Sequence, residues 1–456
     1  MLQPFASPET IAAIATAPGR GGIGIVRVAG PEALRIAQAV TGKQATPRLA
    51  SFASFRDHDG AIIDSGIVIH FSAPSSFTGD DVVEFQGHGG PVVLDMILER
   101  VISLGARIAR PGEFSERAYL NGKIDLAQAE AIADLIDSSS REAARGASRS
   151  LQGEFSDLVN ALVEEVTRLR IFVEACIDFP EEEIDILADP DVQQRIEDIL
   201  SRITHIESAA KTGRLLREGM NILLAGKPNA GKSSLLNSLS GNNVAIVSAI
   251  PGTTRDLIRE RILIDGMPVH ITDTAGLRDS PDEIEREGIR RALQEAENTD
   301  LLLLVVDSST EDDPETILRD HFSGFAERMP PVCIVMNKCD LGKTAAGLQI
   351  MPGAQRVGIS AMTGTGIDAL REVLRNIVGY APVEGGNFSA RRRHLDALTR
   401  ARQALLTSHD VLLSRAGPEL LAEDLRAAQQ HLGEITGHLS SDELLGKIFS
   451  SFCIGK

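Results

Sequence analysis

A glycine-rich segment is the strongest chemical signal in this sequence. Residues 226–233 read Gly-Lys-Pro-Asn-Ala-Gly-Lys-Ser and match the pattern G-x-x-x-x-G-K-[ST]. Residues 221–225 (NILLA) predict a strand before the segment, and residues 233–239 predict a helix after it. Between a strand and a helix, backbone N–H groups can surround a polyphosphate, and the helix N-terminus adds partial positive charge. The segment therefore predicts a nucleotide phosphate loop with these contact residues: Asn229, Ala230, Gly231, Lys232, Ser233 and Ser234. Lys232 would reach the β- and γ-phosphates, and Ser233 would bind Mg²⁺.

A second motif separates guanine from adenine. Residues 332–336 (VCIVM) predict a buried strand that runs into Asn337-Lys338-Cys339-Asp340, an N-K-x-D sequence. A carboxylate only accepts hydrogen bonds, so Asp340 suits the N1–H and N2–H₂ donors of guanine, whereas adenine carries an acceptor at N1. Ser360 and Ala361 match the backbone loop that contacts the guanine carbonyl in GTPases. These residues predict GTP as the nucleotide.

Two further segments carry groups that sense a γ-phosphate. Asp273-Thr274-Ala275-Gly276 is a D-x-x-G sequence, which places Asp273 in the outer shell of Mg²⁺ and the Gly276 N–H at the γ-phosphate. Residues 252–256 (GTTRD) supply Thr253 and Thr254, and Thr254 would complete the magnesium shell. In Ras, a glutamine after this glycine orients the attacking water. Leu277 stands there instead and cannot hydrogen-bond to water, so another residue must orient it.

The elements that position these groups are predicted from apolar patterns. Residues 301–306 (LLLLVV) predict the central strand of a parallel sheet, since a strand buried on both faces is continuously apolar, and the run is too short to span a membrane. Apolar residues repeat at spacings of three and four within 151–169, 395–413 and 420–432, which predicts amphipathic helices on both sides of the nucleotide motifs. Each apolar stripe must be buried against another element. The simplest partner for the helix before the nucleotide motifs is a helix after them. We therefore expect one helical domain interrupted by a GTPase domain, with Gly385-Gly386 as a return linker.

The first part of the chain is predicted to be mixed α/β. Residues 61–71 favour a strand and residues 91–104 a helix. The glycine-rich run at 19–24 is too weak a signal to indicate a dinucleotide-binding fold.

Composition narrows the class of protein. At 456 residues the chain is too long for one core, and its 4 cysteines show no metal-binding spacing, which fits a reducing compartment. The first residues do not resemble a signal peptide, so we expect a cytoplasmic protein without a membrane segment. A formal net charge of −18 opposes strong non-specific binding of nucleic acid, so any RNA must be held by a local patch or another subunit. The basic run at 391–394 favours a solvated helix start, with tRNA or partner contact as the alternative.

Together these motifs carry a family resemblance. The segments GKPNAGKS, GTTRD, DTAGLR and the terminal FCIGK, with PGRGG at 18–22, QGHGG at 86–90 and RPGEFS at 110–115, resemble the MnmE (TrmE) family of tRNA-modification GTPases over essentially the whole chain. The resemblance implies a multidomain fold. An α+β domain for folate binding and dimerisation would span 1–120, a discontinuous α-helical domain 121–218 and 381–456, and an inserted α/β Ras-like P-loop GTPase domain 219–380.

The resemblance also implies how water and charge are handled. The residue matching the family's water-orienting glutamate is Glu285, which would otherwise be interpreted as a solvated acid in the charged run 282–287. A potassium ion would replace an arginine finger and couple hydrolysis to dimerisation of two GTPase domains. Its matching ligands are Asn229, Ser248, Ile250 and Thr253. Ser248 departs from the family's threonine, but it would bind through its backbone carbonyl.

A folate site and a cysteine are implied in the same way. A tetrahydrofolate derivative, 5-formyl or 5,10-methylene, would be held by the residues that match the family's contacts: Arg27, Glu84, Lys123 and Lys456. A carboxylate suits the donors of a pterin, and cations suit a glutamyl tail, although each residue alone could be an ordinary surface charge. Cys453 would lie near this pocket and be needed for modification. Its alternative is a small buried hydrophobe, because Gly455 and Lys456 do not fit a prenylation signal.

The implied function is a GTPase that works with an FAD-dependent subunit of the MnmG (GidA) type. Together they would add an aminomethyl or carboxymethylaminomethyl group to C5 of the wobble uridine (position 34) of certain tRNAs. FAD would be bound only by the partner, which would also hold most of the tRNA, and a homodimer would assemble into an α2β2 complex. The alternative is a regulatory or ribosome-assembly GTPase that has no chemistry of its own and needs neither folate residues nor Cys453. An ATP-driven motor is opposed by Asp340.

Overall fold

The computed structural model divides into two compact units. The first unit comprises residues 1–133, 150–196 and 403–456, and the second comprises 134–149 and 197–402. The described residues are 9–178, 186–240, 259–264, 266–273, 299–310, 313–322, 330–342, 344–351, 354–377, 388–438 and 442–455. None of the helices in these ranges contains an apolar stretch of the length that a bilayer requires.

A six-stranded sheet forms the beginning of the first unit. Its strands, hydrogen-bonded in the order β3-β4-β5-β2-β1-β6, are β1 (Ile11–Ile14), β2 (Gly21–Ala29), β3 (Ser51–Arg56), β4 (Ile62–Phe71), β5 (Val82–Gly89) and β6 (Arg107–Ile108). The pairs are antiparallel except for β1 with β6. The accompanying helices are α1 (Ala33–Thr41), α2 (Pro91–Ser103) and α3 (Glu113–Leu120). The predicted strand at 61–71 and helix at 91–104 correspond to β4 and α2.

Different helices pack on the two faces of this sheet. Side chains that alternate along β2, β4 and β5, such as Val26, Val68 and Phe85, pack against α1 and α2. On the opposite face, Ala29 and other small residues pack against Phe114 of α3. Because side chains alternate along a strand, the polar residues Arg27 and Glu84 also point to this second face, next to α3.

Helices lead from this sheet to the second unit. They are α4 (Leu126–Ile136), α5 (Arg141–Leu151), α6 (Glu154–Asp178) and α7 (Pro190–Glu218), with a 3₁₀ turn at Ile186–Ala188. The chain passes between the two units at residues 133–134 within α4, at 149–150 within α5, at 196–197 within α7 and again at 402–403.

A seven-stranded sheet forms the nucleotide domain of the second unit. Its strands, in the order β12-β13-β11-β10-β7-β9-β8, are β7 (Met220–Ala225), β8 (Arg259–Ile264), β9 (Met267–Asp273), β10 (Leu301–Asp307), β11 (Val332–Asn337), β12 (Gly347–Met351) and β13 (Ala354–Gly358). The described helices beside it are α8 (Lys232–Ser240), α9 (Pro314–Phe322) and α10 (Ile367–Ile377). β10 is the central strand and pairs in parallel with β7 and β11, as predicted from its continuous apolar run. β8 and β12 close the two edges with antiparallel pairs.

Among the described residues, three helices follow the nucleotide domain: α11 (Arg392–Ser414), α12 (Pro418–Thr436) and α13 (Asp442–Ser450). In the first unit α12 packs along α6, so the apolar stripes before and after the nucleotide domain do cover each other. The buried stripe is narrower than the spacing of three and four predicts, because Leu158, Leu413 and Leu420 are exposed. The short helix α13 was not predicted from the sequence.

Candidate functional site

The phosphate loop connects β7 to α8 through a backbone that demands glycine. Gly226 and Gly231 have φ of +141° and +93°, in the left-handed region that glycine tolerates best. A Cβ on Gly226 would lie 2.2 Å from the carbonyl oxygen of Val305, and one on Gly231 would lie 2.2 Å from Nδ2 of Asn337. Asn229, an exposed residue in the middle of the loop, also has a positive φ of +62°. The loop therefore has one tightly constrained shape.

Lys232 begins α8 and folds its side chain back over the loop. Its Nζ donates to the carbonyl oxygens of Gly226 at 2.8 Å and Lys227 at 3.2 Å, and the residue is 7% exposed. The ammonium is thus held inside the loop, where phosphate oxygens would be its partners. Ser233 and Ser234, in the first turn of α8, are exposed. An exposed hydroxyl at Ser233 fits a hard cation that prefers oxygen ligands.

Asn337 joins three of the predicted motifs. Its side chain is 2% exposed, and its Nδ2 donates to the carbonyl oxygen of Ala230 at 2.8 Å. Its Oδ1 accepts from the backbone N–H of Ala361 at 3.0 Å, and the neighbouring Ser360 is fully buried. One buried amide therefore ties the phosphate loop, the end of β11 and the loop at 360–361 together.

Lys338 and Asp340 belong to the N-K-x-D sequence that predicts guanine binding. Lys338 has a φ of +61°, and its Nζ donates to Oδ2 of Asp307 at 2.6 Å. Burial alone would raise the pKa of Asp307, but hydrogen bonds from Lys338 and Ser309 outweigh burial and hold that pKa below its ordinary value. Asp340 is exposed and can receive the donors of a base. Asp307 was not predicted as a site residue. The sequence feature that could have identified Asp307 is its position as a carboxylate at the end of the central strand.

Several predicted residues lie outside the described part of the chain. They are Ser248, Ile250, Thr253, Thr254, Gly276, Leu277, Glu285 and Lys456. The backbone of Asp273 is described: it ends β9, with Cα opposite Leu224 of β7, immediately before the phosphate loop begins.

In the first unit, Arg27 and Glu84 form an ion pair across β2 and β5. They are directly opposed in register, and Arg27 Nη2 lies 2.9 Å from Glu84 Oε1. Gln86 Nε2 donates to the other oxygen, Oε2, at 3.2 Å. The guanidinium of Arg27 also lies 5.6 Å from the ring centre of Phe114, within cation–π range. The predicted folate pair is therefore a partly buried charged group beside α3.

The end of the chain docks against the same helix. The backbone N–H of Gly112, just before α3, donates to the carbonyl oxygen of Cys453 at 3.3 Å. Gly112 and Gly455 have φ of +67° and +96°, and Cβ atoms there would lie 2.6 Å from Phe449 O and 2.4 Å from Ile14 O. The side chain of Cys453 is exposed, so it does not behave as the small buried hydrophobe of the alternative interpretation. Docking brings Cys453 and Arg27 to the same end of α3.

Lys123 lies on the surface of this unit and donates to the carbonyl oxygen of Pro74 at 2.8 Å. Among the described residues, the polar partners of Arg27 and Glu84 are each other and Gln86 rather than Lys123. The structure therefore brings together Arg27, Glu84 and the segment of Cys453, while Lys123 is placed on a neighbouring loop.

A buried carboxylate fixes the start of α3. Glu113 is 2% exposed and accepts from Arg107 at 2.6 and 2.8 Å, from Arg117 at 3.2 Å and from the Arg110 N–H at 2.8 Å. Burial alone would raise the pKa of Glu113, but these bonds outweigh burial and lower it to about 2. The network fixes the turn at Gly112 on which the chain end rests.

Comparison with known proteins agrees with this architecture. Residues 10–123 match the family described as GTP-binding protein TrmE N-terminus, and residues 126–453 match the MnmE helical domain. A protein of Marinobacter nauticus is 56% identical over 100% of both chains. Proteins of Pasteurella multocida and Yersinia pestis are 56% and 54% identical, covering 98% and 99% of this chain and 100% of theirs. All three are named tRNA modification GTPase MnmE. With these matches across its whole length, the chain belongs to the MnmE (TrmE) family of tRNA-modification GTPases.

Proposed function

We propose that this GTPase uses GTP hydrolysis to drive modification of the wobble uridine in tRNA together with an FAD-dependent partner subunit. The carbon unit comes from a tetrahydrofolate derivative, and the product carries an aminomethyl or carboxymethylaminomethyl group at C5. The observation that carries the GTPase half is Asn337, which unites the phosphate and guanine loops in one buried network. The observation that supports the folate half is the docking of the Cys453 segment at the start of α3, the helix whose Phe114 lies within cation–π range of Arg27.

In the nucleotide site, each side chain has a distinct task. Lys232 exchanges its bonds to loop carbonyls for bonds to the β- and γ-phosphates. Ser233 and Thr254 would hold Mg²⁺, which neutralises phosphate charge, and Asp273 at the end of β9 belongs to its outer shell. Asn229, Ser248, Ile250 and Thr253 would hold K⁺ when two GTPase domains meet. Glu285 orients the attacking water, because Leu277 cannot.

In the folate site, Glu84 accepts from the pterin donors while Arg27 holds that carboxylate in place. Lys123 and Lys456 bind the glutamyl tail as cations. The second oxygen of Glu84 already accepts from Gln86, so an incoming pterin competes with a neutral donor rather than with an arginine. We place this site in a domain at 1–120, with helical halves at 121–218 and 381–456 and the GTPase domain at 219–380.

Assembly follows from charge and symmetry. The chain has a net charge of −18, so the FAD-dependent partner holds most of the tRNA. A homodimer formed through the first domain places two GTPase domains in one particle, and two partner subunits complete an α2β2 complex. A regulatory switch without chemistry is the alternative, and it requires neither Cys453 nor folate.

The test is mass spectrometry of tRNA nucleosides from a strain that lacks this chain, complemented with defined variants. Lys232→Ala should lose GTP hydrolysis and the modified uridine. Cys453→Ser should keep hydrolysis and a folded protein but lose the modified uridine. Full modification with Lys232→Ala contradicts the role of hydrolysis, and full modification with Cys453→Ser contradicts the role of Cys453. A strain without the chain that keeps its modified uridine contradicts the proposed function as a whole.

Folate binding has its own measurement. Calorimetric titration of the full chain with 5-formyltetrahydrofolate should give a dissociation constant that rises at least about tenfold in Glu84→Gln, since a charge-assisted hydrogen bond contributes roughly 1.5–3 kcal/mol. Asp64→Asn, which alters another carboxylate of the same sheet, is the matched control. Equal affinity in the two variants would remove Glu84 from the site.

A further inference from the structure

The chain passes into the nucleotide domain and out of it at two neighbouring segments. We define the first crossing as residues 213–219, at the end of α7, and the second crossing as residues 388–391, just before α11. Both crossings belong to the second unit, as do the end of α4, most of α5 and the β8–β9 hairpin. A Cβ on Gly213 would lie 1.9 Å from the carbonyl oxygen of Phe388, so the two crossings touch backbone to backbone.

Asp134, in the last turn of α4, binds both crossings with one carboxylate. Its Oδ1 accepts from Arg217 Nε at 2.8 Å and from Arg391 Nη2 at 2.7 Å. Its Oδ2 accepts from the hydroxyl of Ser389 at 2.5 Å. Asp134 is 7% exposed, so these bonds lie away from bulk water. A buried carboxylate with three donors from two separate segments holds those segments in a fixed relation.

Such a network is poorly explained by stability alone. Taking charges out of water costs energy that their attraction only partly returns, and apolar residues of similar size often stabilise a core as well or better. What ion pairs and hydrogen bonds provide in addition is directional geometry. Packing beside Asp134 is also incomplete: a cavity of about 160 Å³ is lined by Gly146 of α5 and by residues of both crossings, among them Leu216 and Phe388. The relative position of the two crossings therefore depends on the directional hydrogen bonds to Asp134, since close packing does not surround them on every side.

The hairpin of β8 and β9 rests on the same region. It joins the segment that contains Thr254 to the strand that ends in Asp273, so it connects the two predicted sensors of the γ-phosphate. Its turn residue Gly266 lies against α5: a Cβ on Gly266 would lie 2.6 Å from Glu142 Oε2. In β9, His270 Nε2 donates to the carbonyl oxygen of Glu218 at 3.0 Å. Displacement of this hairpin must therefore act on α5 and on the first crossing.

We propose that Asp134 is a positioning residue that makes the two crossings move as one element, so that displacement of the β8–β9 hairpin is passed to α7 and α11 together. We call the bonds of Asp134 to the two crossings the clamp. Without the clamp, the first crossing would move without moving the second crossing with it. The inference rests on the proposed function in one respect, that GTP hydrolysis drives a reaction elsewhere in the chain. The mechanical part concerns the nucleotide-bound chain alone.

Glu207 offers a matched control for Asp134. It is also 7% exposed and lies in α7, and its oxygens are 3.2 Å from Arg402 Nε, Lys211 Nζ and Thr399 Oγ1. It joins α7 to α11 in the same unit, and these three partners lie outside both crossings. Asp134→Asn and Glu207→Gln therefore remove the same charge from similar surroundings and differ in whether the crossings are involved.

The experiment measures hydrogen exchange at both crossings in the full chain, loaded with GDP or with a non-hydrolysable GTP analogue. In the wild type and in Glu207→Gln, exchange at 213–219 and 388–391 should differ between the two nucleotides, and both crossings should change together. In Asp134→Asn the nucleotide-dependent difference at the second crossing should fall at least about fivefold, the lower end of typical allosteric coupling. GTP hydrolysis should stay within about twofold of wild type, because coupling need not alter the chemical step.

Each contrary result is decisive. No nucleotide-dependent exchange at the wild-type crossings, or an equal difference in Asp134→Asn and Glu207→Gln, overturns the proposal. Loss of hydrolysis in Asp134→Asn also overturns it, since the residue would then act on the nucleotide site itself. If Asp134→Asn does not fold, Ser389→Ala removes one neutral donor without leaving an unpaired charge, and a full wild-type response in Ser389→Ala overturns the clamp. Exchange is read without tRNA, so failure of the tRNA assignment leaves this test intact.

Discussion

Replacing Gly455 with alanine should release the end of the chain from its docking site. The added Cβ would lie 2.4 Å from Ile14 O, whereas ordinary contacts begin at 3.4 Å, so the tail must move by about 1 Å. The left-handed φ of +96° adds about 1–2 kcal/mol for a residue with a Cβ. If the shift also exposes Phe452, now 5% exposed, a further 1.5–3 kcal/mol or so of burial is lost. The combined cost is about 2.5–5 kcal/mol, or a factor of roughly 70 to several thousand in the docked fraction.

The most direct assay is hydrogen exchange at the Gly112 amide, which donates to Cys453 O only when the tail is docked. Its protection should fall by about the same factor as the docked fraction. GTP hydrolysis should be unaffected, while wobble modification should be lost. Gly446→Ala is the matched control: it lies on the exposed side of α13 with open space around it, and there alanine should stabilise the helix by about 1 kcal/mol. Wild-type protection of Gly112 in Gly455→Ala would refute the reasoning.

Four further predictions address catalysis, ion, base and pH. Glu285→Ala should slow GTP turnover at least about tenfold while leaving nucleotide affinity near wild type in a fluorescence titration, as expected for an interaction made mainly in the transition state; near-normal turnover would place the water elsewhere. Turnover should require K⁺ and fail in Na⁺, and Asn229→Ala should abolish the difference between the two salts; equal rates for the wild type would remove the ion from the mechanism. Asp340→Asn should weaken GTP binding and favour binding of xanthosine triphosphate, because an amide can donate to the oxygen that replaces the guanine amino group. Unchanged base preference in a competition assay would contradict the assignment. Since the pKa of Glu113 is lowered from 4.5 to about 2, its stabilisation should be complete above about pH 4.5 and be lost as the pH falls towards 2, so Glu113→Gln should flatten this part of an acid-unfolding curve.

The sequence predicts best where a motif coincides with a strand end. The strands before the phosphate loop and before Asn337, and the central strand β10, follow from continuous apolar runs, because burial on both faces leaves no polar positions. The packing of α6 against α12 follows from the need to cover two apolar stripes. The residues assigned to folate, in contrast, come from family resemblance, because single charges far apart in sequence carry no pattern of their own.

What the sequence could not predict depends on contacts between distant residues. Asp134 meets Arg217 and Ser389 only after α4, α7 and the second crossing have come together, and no local pattern marks it. Glu113 is similar: its motif was visible, but its burial depends on Arg107 and Arg117 converging on it. The position of Asn337 in the N-K-x-D sequence did not reveal that its amide would reach the phosphate loop. Sequence patterns fix elements, and long-range polar contacts need the folded chain.

The pairing of α6 with α12 has a consequence for synthesis of the protein. The two helices lie in one unit but are separated in the chain by the whole nucleotide domain. At about 5–20 residues per second, α12 emerges from the ribosome roughly 10–50 s after α6. During that time the apolar stripe of α6, which includes Phe155, Leu162 and Leu169, has no cover from its later partner, while the contiguous nucleotide domain can already fold. A nascent chain of this protein is therefore expected to need a holding chaperone at α6, and truncation after 380 should leave a folded GTPase domain attached to an aggregation-prone helix.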